Sequence, residues 1–221
     1  MDRSNEAIFA SIDEFRIEKL GKSARRRLAI IEATIKTLAS YGAEGTTHDQ
    51  VAIECGASRT LVRHYFPSRE DLVRTSLRFI RARFQHLCIG ELSKYSDPAK
   101  QFEAYVITAC SWMNYFPTDC RVWLLFYFYS GIDRDYRKMN SDLVAQGHVR
   151  ITALLASMAG TRSVSRRQLE IRAKLIQNAI TGCFICTATE DGSDVFKKGL
   201  VKATLRDCIR IARDRNAASK K

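Results

Sequence analysis

Apolar residues recur along much of this chain at alternating steps of three and four, which is the spacing of an amphipathic α-helix. Leu28, Ile31, Ile35 and Leu38 form one such stripe and predict a helix over about residues 24–41. Other long segments show the same period without the strict alternation of apolar and polar residues that is typical of a strand. The pattern therefore predicts an all-α protein.

Capping residues and prolines divide the rest of the chain into further helices. Ser68 with Asp71 resembles a capping box and predicts a helix that ends near residue 94. Asp97-Pro98 predicts the next start, and Pro117 separates that helix from the aromatic segment VWLLFYFY. Ser165 with Gln168 begins another helix. The last three predicted helices cover about residues 133–159, 166–189 and 195–215.

The segment THDQVAIECGASRTLVRHYF, from Thr47 to Phe66, predicts a helix-turn-helix. Two short crossed helices need a small residue where they touch and a tight turn between them, and Ala52 and Gly56 supply these. Thr47 and Ser58 are suited to cap the two helices. Apolar positions would face the interior: Val51, Cys55, Ala57, Val62 and Tyr65. The alternative is a pair of ordinary packed helices with an incidental Ala and Gly.

The residues on both sides of this motif resemble TetR-type repressors. The resemblance runs from about Ser23 to Val73 and includes ARRRLAIIEATIKTLASYGAEGTT before the motif and YFPSREDLV at its end. His64-Tyr65-Phe66 is also similar to a subgroup that includes the choline-responsive repressor of betaine synthesis. The resemblance implies a three-helix DNA-binding domain followed by a helical ligand-binding and dimerisation domain. The implied parts are an arm or extra helix (1–22), the helix-turn-helix domain (23–68), the effector-binding and dimerisation domain (69–215) and a basic tail (216–221).

The same resemblance implies a sequence-specific transcriptional regulator, a ligand-responsive repressor that binds a palindromic double-stranded DNA operator as a homodimer. The residues expected on DNA are Thr47, Ser58, Arg59, Thr60, Arg63, His64, Tyr65 and Arg69. Family members commonly carry Gly-Thr-Leu-Tyr where this chain has Thr60-Leu61-Val62-Arg63, so its contacts differ from the usual set. Arg63 adds a positive charge and a planar set of guanidinium N–H donors, which suits either a guanine or a phosphate.

The net charge of +12 favours a polyanionic partner in general terms. A basic run just before the first family-like helix, Lys22 with Arg25 to Arg27, is placed to meet the phosphate backbone or a minor groove. The basic C-terminal segment is better explained as a solvated helix face.

Seven cysteines without a secreted-domain spacing, and a start without a sustained apolar run, predict a reduced, cytoplasmic protein. The most apolar stretch, Val122 to Tyr129, is too short to span a bilayer, so no membrane partner is expected.

Two features of the C-terminal half suggest further sites. Aromatic residues on two successive helices are either core or the lining of an effector pocket for a flat hydrophobe or a quaternary ammonium. The pocket residues would be Trp112, Phe116, Trp123 and Tyr127. The helix over 166–189 carries two apolar stripes, which with the last helix suits a four-helix dimer interface. The residues expected there are Leu169, Ala173, Ile176, Ile180, Cys183, Val201, Leu205 and Ile209.

The sequence contains no catalytic or cofactor-binding motif. The hypothesis that the protein is an enzyme therefore has no positive support, and no cofactor is expected. Cys183-x-x-Cys186 lacks the second pair that a structural zinc site needs, which favours packing thiols over a metal or thiol-sensing site. A rival to the regulator is an all-helical protein-interaction module with an incidental basic surface. It would show no salt-dependent DNA affinity, whereas a regulator would.

Overall fold

The computed structural model describes residues 21–159 and 164–213, and within them it contains ten helices and no strand, which confirms the all-α prediction. In this part of the chain no helix combines the length and apolarity needed to cross a bilayer. Residues 1–20 of the proposed arm (1–22) and the tail (216–221) lie outside the described residues. The helices are α1 (Lys22–Gly45), α2 (His48–Cys55), α3 (Arg59–Tyr65), α4 (Arg69–Leu92), α5 (Pro98–Cys110), α6 (Trp112–Tyr115), α7 (Pro117–Ile132), α8 (Arg134–Ala159), α9 (Arg166–Thr189) and α10 (Asp194–Arg213).

The described residues divide into two compact units. The first contains residues 21–86 and 118–126, and the second contains 87–117, 127–159 and 164–213. Helices α4 and α7 each contribute residues to both units.

In the first unit, α1 packs on α2, and α2 packs on α3. The predicted stripe of α1 supplies the contact, since Ile31, Ile35 and Leu38 are all buried. Gly42 has φ +68° and interrupts the helical backbone, so regular helix ends close to the predicted position and one further turn follows. A positive φ of this kind favours glycine, because glycine has no Cβ.

Helix α4 begins at the predicted cap. The Ser68 hydroxyl accepts a hydrogen bond from the Asp71 backbone N–H at 3.0 Å and donates one to the Asp71 carboxylate at 2.8 Å. Further along α4, Arg83 Nε donates to the Asp119 carboxylate on α7 at 2.8 Å. The Asp119 side chain is only 2% exposed, and its burial raises its pKa while the Arg83 charge acts in the opposite direction. This ion pair joins two helices of the first unit.

In the second unit, α9 is the central helix and packs on α5, α8 and α10. It begins with the predicted capping box, in which the Ser165 hydroxyl accepts from the Gln168 backbone and the Gln168 side chain accepts from the Ser165 backbone. The neighbouring α5 begins at the predicted Asp97 cap with Pro98 in its first turn. The core residues of this unit include Phe102, Val106, Ile151, Leu155, Ala173 and Ile176.

Candidate nucleic-acid interface

The turn between α2 and α3 has the geometry that the sequence predicts. Gly56 adopts a left-handed conformation (φ +61°, ψ +40°), and the Ala57 N–H donates to the Ala52 carbonyl across the turn at 2.9 Å. The Thr47 hydroxyl caps α2 by accepting from the Gln50 N–H at 3.2 Å, and the Ser58 hydroxyl caps α3 by accepting from the Leu61 N–H at 3.2 Å. Each hydroxyl thus satisfies one backbone N–H that the first turn of its helix leaves unpaired.

Helix α3 has a buried side and an exposed side. Val62 is fully buried, whereas Arg59, Thr60, Arg63 and His64 are exposed. Four of the residues expected on DNA therefore lie together along one solvent-facing surface of this short helix. Ser58 and Thr47 are also exposed, at the N-terminal ends of α3 and α2.

The basic run before α1 lies beside this helix. Lys22, Arg25 and Arg26 line a shallow groove of about 630 Å³ whose other wall includes Leu61 and Tyr65 of α3. All three cations are exposed, and the Ser23 hydroxyl lies 3.2 Å from the Tyr65 hydroxyl. Two features that are some forty residues apart in sequence thus form one continuous basic surface, which we call the basic groove.

Two of the arginines expected on DNA have protein partners. Arg59 forms an ion pair with Asp49 of α2 at 3.2 Å, and both side chains are more than half exposed. Arg69 donates to the Ala43 carbonyl at 3.3 Å and lies 3.7 Å from the Glu44 carboxylate. Exposed pairs of this kind contribute ~0–1 kcal/mol, so a phosphate can replace the carboxylate at little cost.

Two residues that the sequence reasoning missed hold α3 in place. His48 Nε2 is 2.8 Å from the carbonyl oxygen of Phe66, which joins the start of α2 to the end of α3. Arg27 lies over the Phe66 ring, 5.1 Å from its centroid, and joins α1 to the same point. Phe66 itself is only 2% exposed. No periodicity marks such contacts, because each depends on how the three helices pack together.

In the second unit, the prediction that one stripe of α9 forms a dimer interface is wrong. Leu169, Ala173, Ile176, Ile180 and Cys183 are all buried inside the protomer, because this stripe packs on neighbouring helices. The opposite side of α9 is more accessible, since Leu175 is 45% exposed and Ile185 is 38% exposed. On α10, Val201, Leu205 and Ile209 are half-buried, and the first two line a cleft within the protomer.

The aromatic residues of the expected effector pocket are distributed over both units. In the second unit, Trp112 is buried and its ring lies 5.4 Å from that of Phe184, which Tyr127 approaches at 6.5 Å. Phe116 is half-buried in the same unit. Trp123 belongs to the first unit, where its ring is 5.0 Å from that of Phe126.

The cysteines of α9 are in different surroundings. Cys183 is buried, and a hydrogen bond with the Cys110 thiol of α5 lowers its pKa. Cys186 is half-buried, and a hydrogen bond with Glu190 raises its pKa. The thiol partner of Cys183 is therefore on another helix and is not the neighbour in the Cys-x-x-Cys sequence.

Comparison with known proteins confirms the predicted resemblance. Residues 30–75 match the family of bacterial regulatory proteins called the tetR family. The HTH-type transcriptional regulator BetI of Agrobacterium fabrum is 26% identical over 121 residues, which are 55% of this chain and 59% of that protein. The chain therefore matches about three fifths of the length of this curated relative.

Two solved structures share the fold. A TetR-like transcriptional regulator of Rhodococcus sp. RHA1 superposes with a TM-score of 0.65 at 14% identity, over 92% of this chain and all of that one. AibR, solved in complex with isovaleryl coenzyme A and operator DNA, gives a TM-score of 0.60 at 13% identity, over 81% of this chain and 96% of that one. Together the two superpositions show that the chain has the helical fold of these regulators.

Proposed function

We propose that this chain is a TetR-type, sequence-specific transcriptional regulator that represses its target genes, a proposal supported by the match of residues 30–75 to the tetR family. The observation that carries the proposal is the exposed face of α3 beside the basic groove. A short helix with exposed donors suits base edges in a major groove, and adjacent cations suit the phosphates on either side. Such a regulator would act in the cytoplasm.

Arg63 is the residue most suited to read a base. It is exposed on α3 and has no ion-pair partner among the described residues, so its five donors are available to a ligand. A guanidinium can donate two parallel hydrogen bonds to guanine O6 and N7. Thr60 and His64 would complete the base contacts, while Thr47, Ser58, Tyr65 and Arg69 would hold phosphates.

Arg59 would reach DNA by exchanging one partner for another. In the DNA-free protein its charge is balanced by Asp49. A phosphate or a guanine would take the place of that carboxylate, and Asp49 would then be released to solvent. Since the exchange replaces one exposed charge-assisted contact by another, it adds specificity more than it adds affinity.

A homodimer would place two α3 helices on a palindromic operator. Two such helices about one DNA turn apart can each read one half-site. The exposed side of α9, which carries Leu175, Gly182 and Ile185, suits the contact between protomers. A side chain added at Gly182 would meet nothing within 4 Å, so a second helix can approach closely there. A small-molecule effector would release DNA by binding the DNA-incompetent arrangement more tightly.

Binding to the DNA upstream of the protein's own gene, compared with a shuffled fragment of equal composition, tests the proposal. Arg63→Ala should weaken specific binding by ~1–3 kcal/mol. Arg63→Lys is the matched control, because it keeps the charge and loses the planar fork. If Arg63→Lys binds as tightly as the wild type, Arg63 holds a phosphate. Equal affinity of the wild type for all fragments would refute sequence-specific regulation.

A further inference from the structure

A cleft of about 530 Å³ lies within the second unit, lined by residues from the end of α5, from α6 and its preceding residue, from the end of α9 and from the first half of α10. This volume is in the range of small-molecule sites. Its wall on α10 runs from Asp194 to Leu205, and at 1.5 Å per residue this is a length of about 16 Å. The cleft is therefore elongated along α10.

The cleft changes character along α10. Its end near the start of the helix carries two cations, Lys197 and Lys198, against one acid, Asp194, and a third cation, Lys202, follows one turn further along. None of these lysines has an ion-pair partner among the described residues. Val201 and Leu205, which precede and follow Lys202, add apolar surface to the same wall.

The facing wall has the same mixed character. Ile107 and Met113 supply apolar surface, and Ser111 and Asn114 supply hydrogen-bonding groups. Ile107 is 43% exposed, which is unusual for an isoleucine on a helix that is otherwise part of the core. The apolar groups on the two walls give the cleft a surface that favours a hydrocarbon chain.

The lysines lie close to the N-terminal end of α10, where positive charge is unfavourable. Lys197 and Lys198 stand in the first two turns of α10, where the helix dipole is already positive and additional cations are disfavoured. Together with Lys202 in the third turn, they give this wall three cations against a single carboxylate, which is a local excess of positive charge. An anion in the cleft would offset that excess and accept hydrogen bonds from the ammonium groups.

From this charge pattern and shape we propose that the cleft binds a linear amphipathic carboxylate, with its head on the α10 lysines and its aliphatic chain between Ile107 and Leu205. The length of the α10 wall suits one extended chain better than a compact ring system. The inference deepens the proposed function, on which it rests for the ligand's role as an effector. The binding step itself requires no DNA.

Isothermal titration with dodecanoate, on the full chain without DNA, tests the site. We expect saturable binding of one molecule per chain, and at least tenfold weaker binding by Lys197→Gln/Lys198→Gln/Lys202→Gln. The control, Lys138→Gln/Lys174→Gln, alters exposed lysines on α8 and α9 and should bind like the wild type. Dodecanol and dodecylamine should both bind at least tenfold more weakly than dodecanoate, because one lacks the charge and the other reverses it.

Val201→Phe gives an independent test, because it fills the apolar part and leaves every lysine in place. It should weaken dodecanoate binding at least tenfold while the far-ultraviolet circular dichroism stays that of the wild type. Equal binding by the triple lysine variant and the wild type, or equal binding of dodecylamine and dodecanoate, would overturn the proposal. Absence of dodecanoate binding would also overturn it, without affecting the DNA-binding proposal, which is measured on ligand-free protein.

Discussion

Removal of two charges from the basic groove should change the salt dependence of DNA binding by a predictable amount. Lys22, Arg25, Arg26 and Arg63 are exposed cations next to or on α3, and a dimer would present eight such groups. If all eight contact phosphates, log K falls against log salt concentration with a slope of about −7. Arg25→Gln/Arg26→Gln removes four of the eight and should reduce the slope to between about −3 and −4.

The assay is a fluorescence-anisotropy titration of one labelled duplex between 50 and 200 mM salt. A slope of −7 means that the wild type loses affinity ~10⁴-fold over this range, whereas the variant should lose only ~10²-fold. Arg134→Gln/Lys138→Gln removes the same charge from exposed positions on α8 and should keep the wild-type slope. If both double variants shift the slope equally, net charge is responsible and the basic groove has no specific part in DNA binding.

Three further pairs of substitutions test the local structure by urea denaturation. Gly56→Ala forces a left-handed φ of +61° on a residue with a Cβ and should cost ~1–2 kcal/mol, whereas Gly90→Ala, in open space within α4, should stabilise by ~0.5–1 kcal/mol. A gain in both variants would refute the conformational argument. Ser58→Ala removes the cap of α3 and should lower the free energy of unfolding by ~1 kcal/mol, with Ser58→Asp close to the wild type. Asp119→Ala leaves the Arg83 charge without its carboxylate and should cost ~3 kcal/mol, part of which Arg83→Met should restore; no recovery would contradict the ion-pair account.

Caps, turn glycines and amphipathic stripes predicted the helices well, because each of these patterns depends on only a few neighbouring residues. Thr47, Ser58 and Ser165 act as the caps that their spacing predicts, and Gly56 has the expected positive φ. The amphipathic stripe of α1 faces the interior as its period indicates. The exposed face of α3 follows from the same period, since Val62 fixes which side is buried.

Contacts between distant residues were not predictable in this way. The stripe of α9 that includes Ile176 was expected at a dimer interface, yet it is core, because periodicity identifies an apolar face and does not identify its partner. The His48 contact with Phe66 and the Cys183 contact with Cys110 join residues whose separation in sequence carries no signal. The cleft beside α10 likewise arises from four segments that converge only in the folded chain.

Selection of bound sequences from a random duplex pool tests whether the exposed face of α3 reads bases. We expect enrichment of an inverted repeat whose half-sites are centred about 10 base pairs apart, or a multiple of that distance. We also expect Arg63→Ala to relax the preference at one position of each half-site and to leave the others unchanged. Retention of DNA without enrichment of any sequence would contradict the claim that the exposed face of α3 reads bases.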